Sequence, residues 1–227
     1  ENNGTLDKYI GDAIVAFYGA PIDVDNHEYW ACKTAIEMQD KLAILREGWQ
    51  EEGDRWPEIV HNMQNRIGIS SGQMVTGNMG SEARMNYTMM GDNVNTAARL
   101  ESSAKQYGIY IQIADSTYQA VKEKVVVRDL DNVRVLGKNE PVKVWELISE
   151  AGQEPDQYKK ILPAYHEALD LYKNQEWSKA IEAFKASDEL EEMFGGRKTN
   201  PSRIYIPRCE HYLENPPGEE WDGVWTL

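Results

Sequence analysis

A chain of 227 residues, 41% of them hydrophobic, can bury a substantial core, either as one large domain or as a medium domain with an appendage. Its formal charge of −14 argues against nucleic acid or an anionic membrane as the main partner, because both require a basic face. Cys32 and Cys209 are the only cysteines and lack metal-ligand spacing, and no apolar run reaches membrane-spanning length. A reducing, cytoplasmic setting is therefore expected, with any tether or sensor placed upstream in a parent protein.

Taken in order, residues 5–10 and 13–18 read as two strands joined at Gly11-Asp12, a glycine-led two-residue turn that suits a tight hairpin. By itself this makes Asp12 a polar tip and Lys8 a solvated edge charge. Asp25 or Asn26 can cap a helix with Glu28 in its first turn, and Ala31, Ala35, Met38, Leu42 and Leu45 form its core-facing stripe. Residues 49–64 are polar and broken by Gly53 and Pro57, so they read as a loop with room for a short helix. Ile67 and Ile69 alternate as on a half-buried strand, and Gly72, Gly77 and Gly80 punctuate a return strand and its loop. These glycines lack the Gly-x-x-x-x-Gly-Lys-Ser/Thr pattern of a phosphate loop.

The stretch 86–103 carries the most chemistry. A strand over 87–90 stops at Gly91-Asp92, and a helix begins with Asp92 placed to cap it. Ala97, Leu100, Ala104 and Tyr107 make its buried stripe, which leaves Asn95 and Arg99, four apart, on a different face. An amide and a fixed cation side by side near a helix start suit a polyanionic ligand; the plainer alternative is an exposed amide and a solvated cation. Further on, 109–113 reads as a strand and 116–124 as a short helix. Strands at 125–128 and 133–147 then flank the turn Gly137-Lys138-Asn139-Glu140-Pro141.

After a short linker, Tyr165, Ala168, Leu169 and Tyr172 form one helical stripe and Ala180, Ile181 and Phe184 another, turning at 174–177. The pair resembles a single tetratricopeptide-type unit, with Tyr172, Trp177, Ala180 and Phe184 at characteristic places. One such repeat cannot bury its own face, so it is expected to pack on the preceding domain or on a protein partner. Pro201 opens a last helix to about Leu213. Trp221 and Trp225 are costly to leave wet, and the tail reads as a docking segment.

Gly91-Asp92-Asn93-Val94-Asn95-Thr96-Ala97-Ala98-Arg99-Leu100-Glu101 resembles the Gly-Asp-x-Val-Asn-x-Ala-x-Arg-Leu-Glu signature of class III adenylate and guanylate cyclases. Upstream, Asp7-Lys8-Tyr9-Ile10-Gly11-Asp12 resembles the Lys-x-x-Gly-Asp hairpin of the same family. The resemblance spans about 4–147. It implies an α+β, ferredoxin-like cyclase sheet with helices on one face over 1–150, followed by the helical extension over 151–227.

The resemblance also implies roles. Asp12 is expected to hold catalytic Mg²⁺ or Mn²⁺, two ions per site. Lys8 and Thr88 are expected to read the adenine edge of ATP, Asn95 to orient the ribose, and Arg99 to neutralise charge growing on the α-phosphate. The expected partner is a second copy of the chain, paired head to tail so that sites form at the interface. Two departures stand out. Many members have Val-Lys-Gly-Lys where this chain has Val135-Leu136-Gly137-Lys138, leaving Lys138 as the candidate triphosphate contact. The family's first strand, with its Phe-x-Asp motif and second metal carboxylate, has no counterpart here, so the chain alone is expected to turn over little ATP. The alternative is a non-catalytic cyclase-fold module used for pairing or scaffolding.

Overall fold

A computed structural model describes residues 2–133, 142–191, 197–218 and 220–225. The opening hairpin forms from β1 (Thr5–Ile10) and β2 (Ala13–Phe17), with Gly11 at φ 63° in the turn, a region glycine enters without steric cost. Leu6 pairs with Ala16 and Lys8 with Val15, so Asp7 is an extra residue, a β-bulge.

α1 (His27–Glu51) follows, longer than its stripe predicted. Asn26 takes the cap position with a left-handed backbone, but its Oδ1 accepts from Lys124 Nζ at 2.6 Å and makes no cap bond. Cys32 and Ala35 are the buried residues of the helix, whereas Leu45 is exposed. The second half of the helix lies beside polar backbone instead of core: Gln39, Arg46 and Gln50 donate to the carbonyls of Asn65, Met63 and His61.

Next come α2 (Glu58–His61), β3 (Ile67–Ile69), β4 (Val75–Ser81), β5 (Arg84–Met90) and α3 (Asp92–Tyr107). Then follow β6 (Ile111–Ala114), α4 (Asp115–Val121), β7 (Val125–Val133) and β8 (Val142–Glu150). β3, β6, β8 and β7 make a four-stranded sheet in that order, β3 and β6 parallel and the other pairs antiparallel. The β1–β2 and β4–β5 hairpins are separate two-stranded sheets.

The α+β class holds, but alternation along β6 puts helices on both faces of the four-stranded sheet and not on the single face expected. Ile111 and Ile113 pack with Cys32 and Ala35 of α1 and with Leu147. The intervening residues turn to α3: Ala114 packs with Leu100 and Ala104, and Gln112 accepts from Ser103 at 3.0 Å. Burying a side chain such as Leu100 is worth roughly 1.5–3 kcal/mol. Gly68 sets how closely α3 lies on β3, since a Cβ there would sit 2.1 Å from the Ala97 carbonyl oxygen.

α5 (Tyr158–Lys173), α6 (Trp177–Glu191) and α7 (Pro201–Glu214) share a core of Tyr165, Leu169, Tyr172, Trp177, Phe184 and Tyr205. Trp221 lies 5.2 Å, ring to ring, from each of Tyr172, Trp177 and Tyr212, so the aromatic tail docks on its own helices. The helices in turn dock on β7. Arg128, fully buried, donates to Glu146 at 2.7 Å and to Glu191 of α6 at 2.5 Å. Tyr205 donates to the Leu130 carbonyl and Arg208 pairs with Asp131 at 2.7 Å. The burial that one helix pair cannot achieve is thus met within the chain.

Candidate active site

The hairpin brings Lys8 to β5. Its Nζ donates to Thr88 Oγ1 at 3.0 Å, joining residues eighty positions apart. Thr88 is buried and Lys8 is 44% exposed, so a buried hydroxyl and a reachable ammonium stand side by side. Asp7 completes the cluster: Thr88 Oγ1 donates to its Oδ2 at 2.8 Å, and Lys8 Nζ lies 3.4 Å from the same oxygen. The Asp7 side chain is 3% exposed. Sequence reasoning missed Asp7. On a regular strand adjacent side chains face opposite ways, so Asp7 and Lys8 cannot both reach Thr88; the bulge re-aims one of them. No glycine marks that bulge, and the only available signal was the Asp-Lys pair itself.

α3 presents the second group. Thr96, Leu100, Ala104 and Tyr107 are buried, with Ala97 half-buried, while Asn95 and Arg99 are both exposed. Neither makes a hydrogen bond or ion pair among the described residues, which leaves the amide and the guanidinium free toward solvent. Gly91 occupies the cap position and Asp92 is the first helical residue, one place later than the capping role expected of it. Asn93 fastens the start of the helix, accepting from Ser70 Oγ at 3.0 Å and donating to the Gln73 carbonyl at 3.4 Å.

Asp12 is exposed at the hairpin turn. A carboxylate is the donor type Mg²⁺ and Mn²⁺ prefer, and Mg²⁺ binds through one or two carboxylates completed by phosphate oxygens and water. Among the described residues no three His, Cys, Asp or Glu side chains gather to hold a metal, so Asp12 fits as one ligand and not as a cage. Lys138 lies outside the described residues, as does the turn containing it. Burial pushes the Cys32 and Cys209 thiols up to about 12, and both are free, so neither supplies a thiolate near neutral pH.

An α+β domain with a two-motif polar site of this kind has clear relatives. The family model for the adenylate and guanylate cyclase catalytic domain matches residues 7–149, and the chain belongs to that family. It is 33% identical over 213 residues to an adenylate cyclase of Dictyostelium discoideum described as terminal-differentiation specific, covering 92% of this chain and 9% of the relative. That similarity therefore continues past the family match into the C-terminal helices. An adenylate cyclase of Anabaena cylindrica is 35% identical over 152 residues, covering 65% of this chain and 28% of the relative. The chain thus spans less than a third of the length of these relatives. Among solved structures, the adenylyl cyclase CyaB from P. aeruginosa superposes with a TM-score of 0.57 at 29% identity, covering 68% of this chain and 76% of that one. The guanylyl cyclase Cya2 superposes with a TM-score of 0.56 at 30% identity, covering 67% and 73%. Adenylyl and guanylyl enzymes are matched about equally well, so base preference must be argued from side chains.

Proposed function

We propose that the domain converts ATP to 3′,5′-cyclic AMP and pyrophosphate at sites shared between two copies of the chain. The observation carrying the base assignment is the 3.0 Å contact of Lys8 Nζ with Thr88 Oγ1. The ammonium offers a donor to adenine N1, and the hydroxyl oxygen an acceptor to the N6 amino group. Guanine presents the reverse pattern on that edge.

In the reaction the ribose 3′-oxygen bonds to the α-phosphorus, the bond to pyrophosphate breaks, and the 3′-hydroxyl proton is released. Asn95 orients the ribose, and Arg99 offsets the charge that grows on the α-phosphate. Asp12 would hold the divalent metal, Mg²⁺ or Mn²⁺ with two ions per site, which would supply Lewis-acid activation and phosphate charge neutralisation. Lys138 is assigned to the triphosphate.

A second copy is supported by the apolar surface of the two hairpins: Tyr9, Ile10, Ile14, Val75, Met85 and Met90 are each at least 55% exposed. We divide the chain at residue 150, with 151–227 as a helical extension. The test is cyclic nucleotide formation from ATP and GTP by the longest natural chain containing this sequence. ATP is expected to be preferred. Lys8→Glu should erode that preference, because an unmatched buried polar group costs about 1–3 kcal/mol. Unchanged discrimination in the variant would overturn the base assignment.

A further inference from the structure

Asp7 has no assigned role, yet it is the most buried polar group of the Lys8–Thr88 cluster. Its side chain is 3% exposed; among the described residues its Oδ1 is buried without a hydrogen-bond partner, and its hold on the cluster runs through Oδ2. A threonine hydroxyl has one proton and two acceptor lone pairs, and a carboxylate only accepts. The Thr88 proton is committed to Asp7 Oδ2 at 2.8 Å, and one lone pair receives Lys8 Nζ at 3.0 Å. What Thr88 has left is a single acceptor lone pair. Lys8, with one N–H on Thr88 and its Nζ 3.4 Å from Asp7 Oδ2 as an ion pair, still has donor capacity for a ligand.

We infer that Asp7 is a positioning residue for nucleobase choice: by taking the Thr88 proton it fixes that hydroxyl as an acceptor, matching the amino edge of adenine and opposing the oxo edge of guanine. This rests on the reading of Lys8 and Thr88 as the base-reading pair. The bulge at Asp7 is what makes the arrangement possible, since it brings two consecutive side chains to one hydroxyl. Without the carboxylate the Thr88 hydroxyl can turn its proton outward and donate to a guanine oxygen. An amide in its place goes further, because an N–H at that position can itself occupy a Thr88 lone pair.

The experiment measures kcat/KM for ATP and for GTP in the longest natural chain containing this sequence, for wild type, Asp7→Asn, Asp7→Ala and Asp7→Glu. Asp7→Asn and Asp7→Ala should each lower the ATP-to-GTP ratio by about tenfold or more, within the range expected for an unmatched buried hydrogen-bonding group. Asp7→Glu, which keeps an acceptor-only group, should retain more of the ratio than either. A purely structural role lowers both nucleotides together and leaves the ratio unchanged in the variants that fold; that result would overturn the inference. Lys8→Glu and Thr88→Val run alongside. If they move the ratio while the Asp7 variants do not, the inference on Asp7 fails and the base-reading assignment stands. If neither they nor the Asp7 variants move it, both fall.

Discussion

Arg99 carries its charge on the exposed side of α3 with no partner among the described residues, one helical turn from Asn95, so its removal leaves the fold untouched. Arg99→Ala should lower kcat by roughly 100- to 1,000-fold, the usual cost of losing a fixed transition-state donor, with the thermal midpoint unchanged. A loss below about tenfold would remove Arg99 from the chemistry. That Asn95 and Arg99 share an exposed face was legible from spacing alone, because helical period decides what a core-facing stripe leaves outside. Lys8 and Thr88 were legible only through the motif, since nothing local in the sequence brings β1 to β5. Asp7 was not legible at all. Its burial depends on a bulge and on a hydroxyl eighty-one positions away, and an Asp beside a Lys near a turn reads as solvated.

At the scale of elements, the kind and order of strands and helices followed the periodic patterns, while β5, β7 and β8 have other bounds than expected. Two misreadings of single side chains trace to long-range polar contacts. Asn26 was a fair cap on composition, but Lys124 claims its side chain. Arg128 and Glu146 lie on strands where charge ordinarily marks the wet face, yet both are buried because each answers the other and Glu191 and Arg197 close the group. The seam between α5 and β7 has its own titratable contact. His166 Nε2 accepts from the Asp129 backbone N–H at 3.4 Å, which requires a neutral ring, and burial chiefly lowers its pKa below 6.5. With a folded value below the unfolded one, this contribution to stability is complete above pH 6.5 and is lost as pH falls through the lowered folded value. Urea midpoints measured between pH 7.5 and 5 should therefore fall more steeply for wild type than for His166→Gln. Equal slopes would show that the seam does not depend on a neutral ring.

For the whole molecule, two facts bear on assembly. The C-terminal helices and aromatic tail bury their apolar faces within the chain, while the β1–β2 and β4–β5 hairpins leave theirs exposed. The hairpins are thus the apolar surface on which the proposed second copy would dock, and they also carry Lys8, Asp12 and Thr88. The family resemblance places the base-reading Lys and the metal-binding Asp of any one site in opposite copies. On the proposed reading each copy would lend Asp12 to one site, and Lys8, Thr88, Asn95 and Arg99 to the other, which would give a symmetric dimer two equivalent sites. The most direct test uses Asp12→Ala and Arg99→Ala in the longest natural chain containing this sequence, each nearly inactive alone. Mixed in equal amounts with subunit exchange confirmed independently, about half the dimers carry one intact site and one doubly damaged site. Cyclic AMP formation should then return to about a quarter of wild type. A mixture as inactive as its parts would contradict shared sites and, with them, the proposed catalytic architecture.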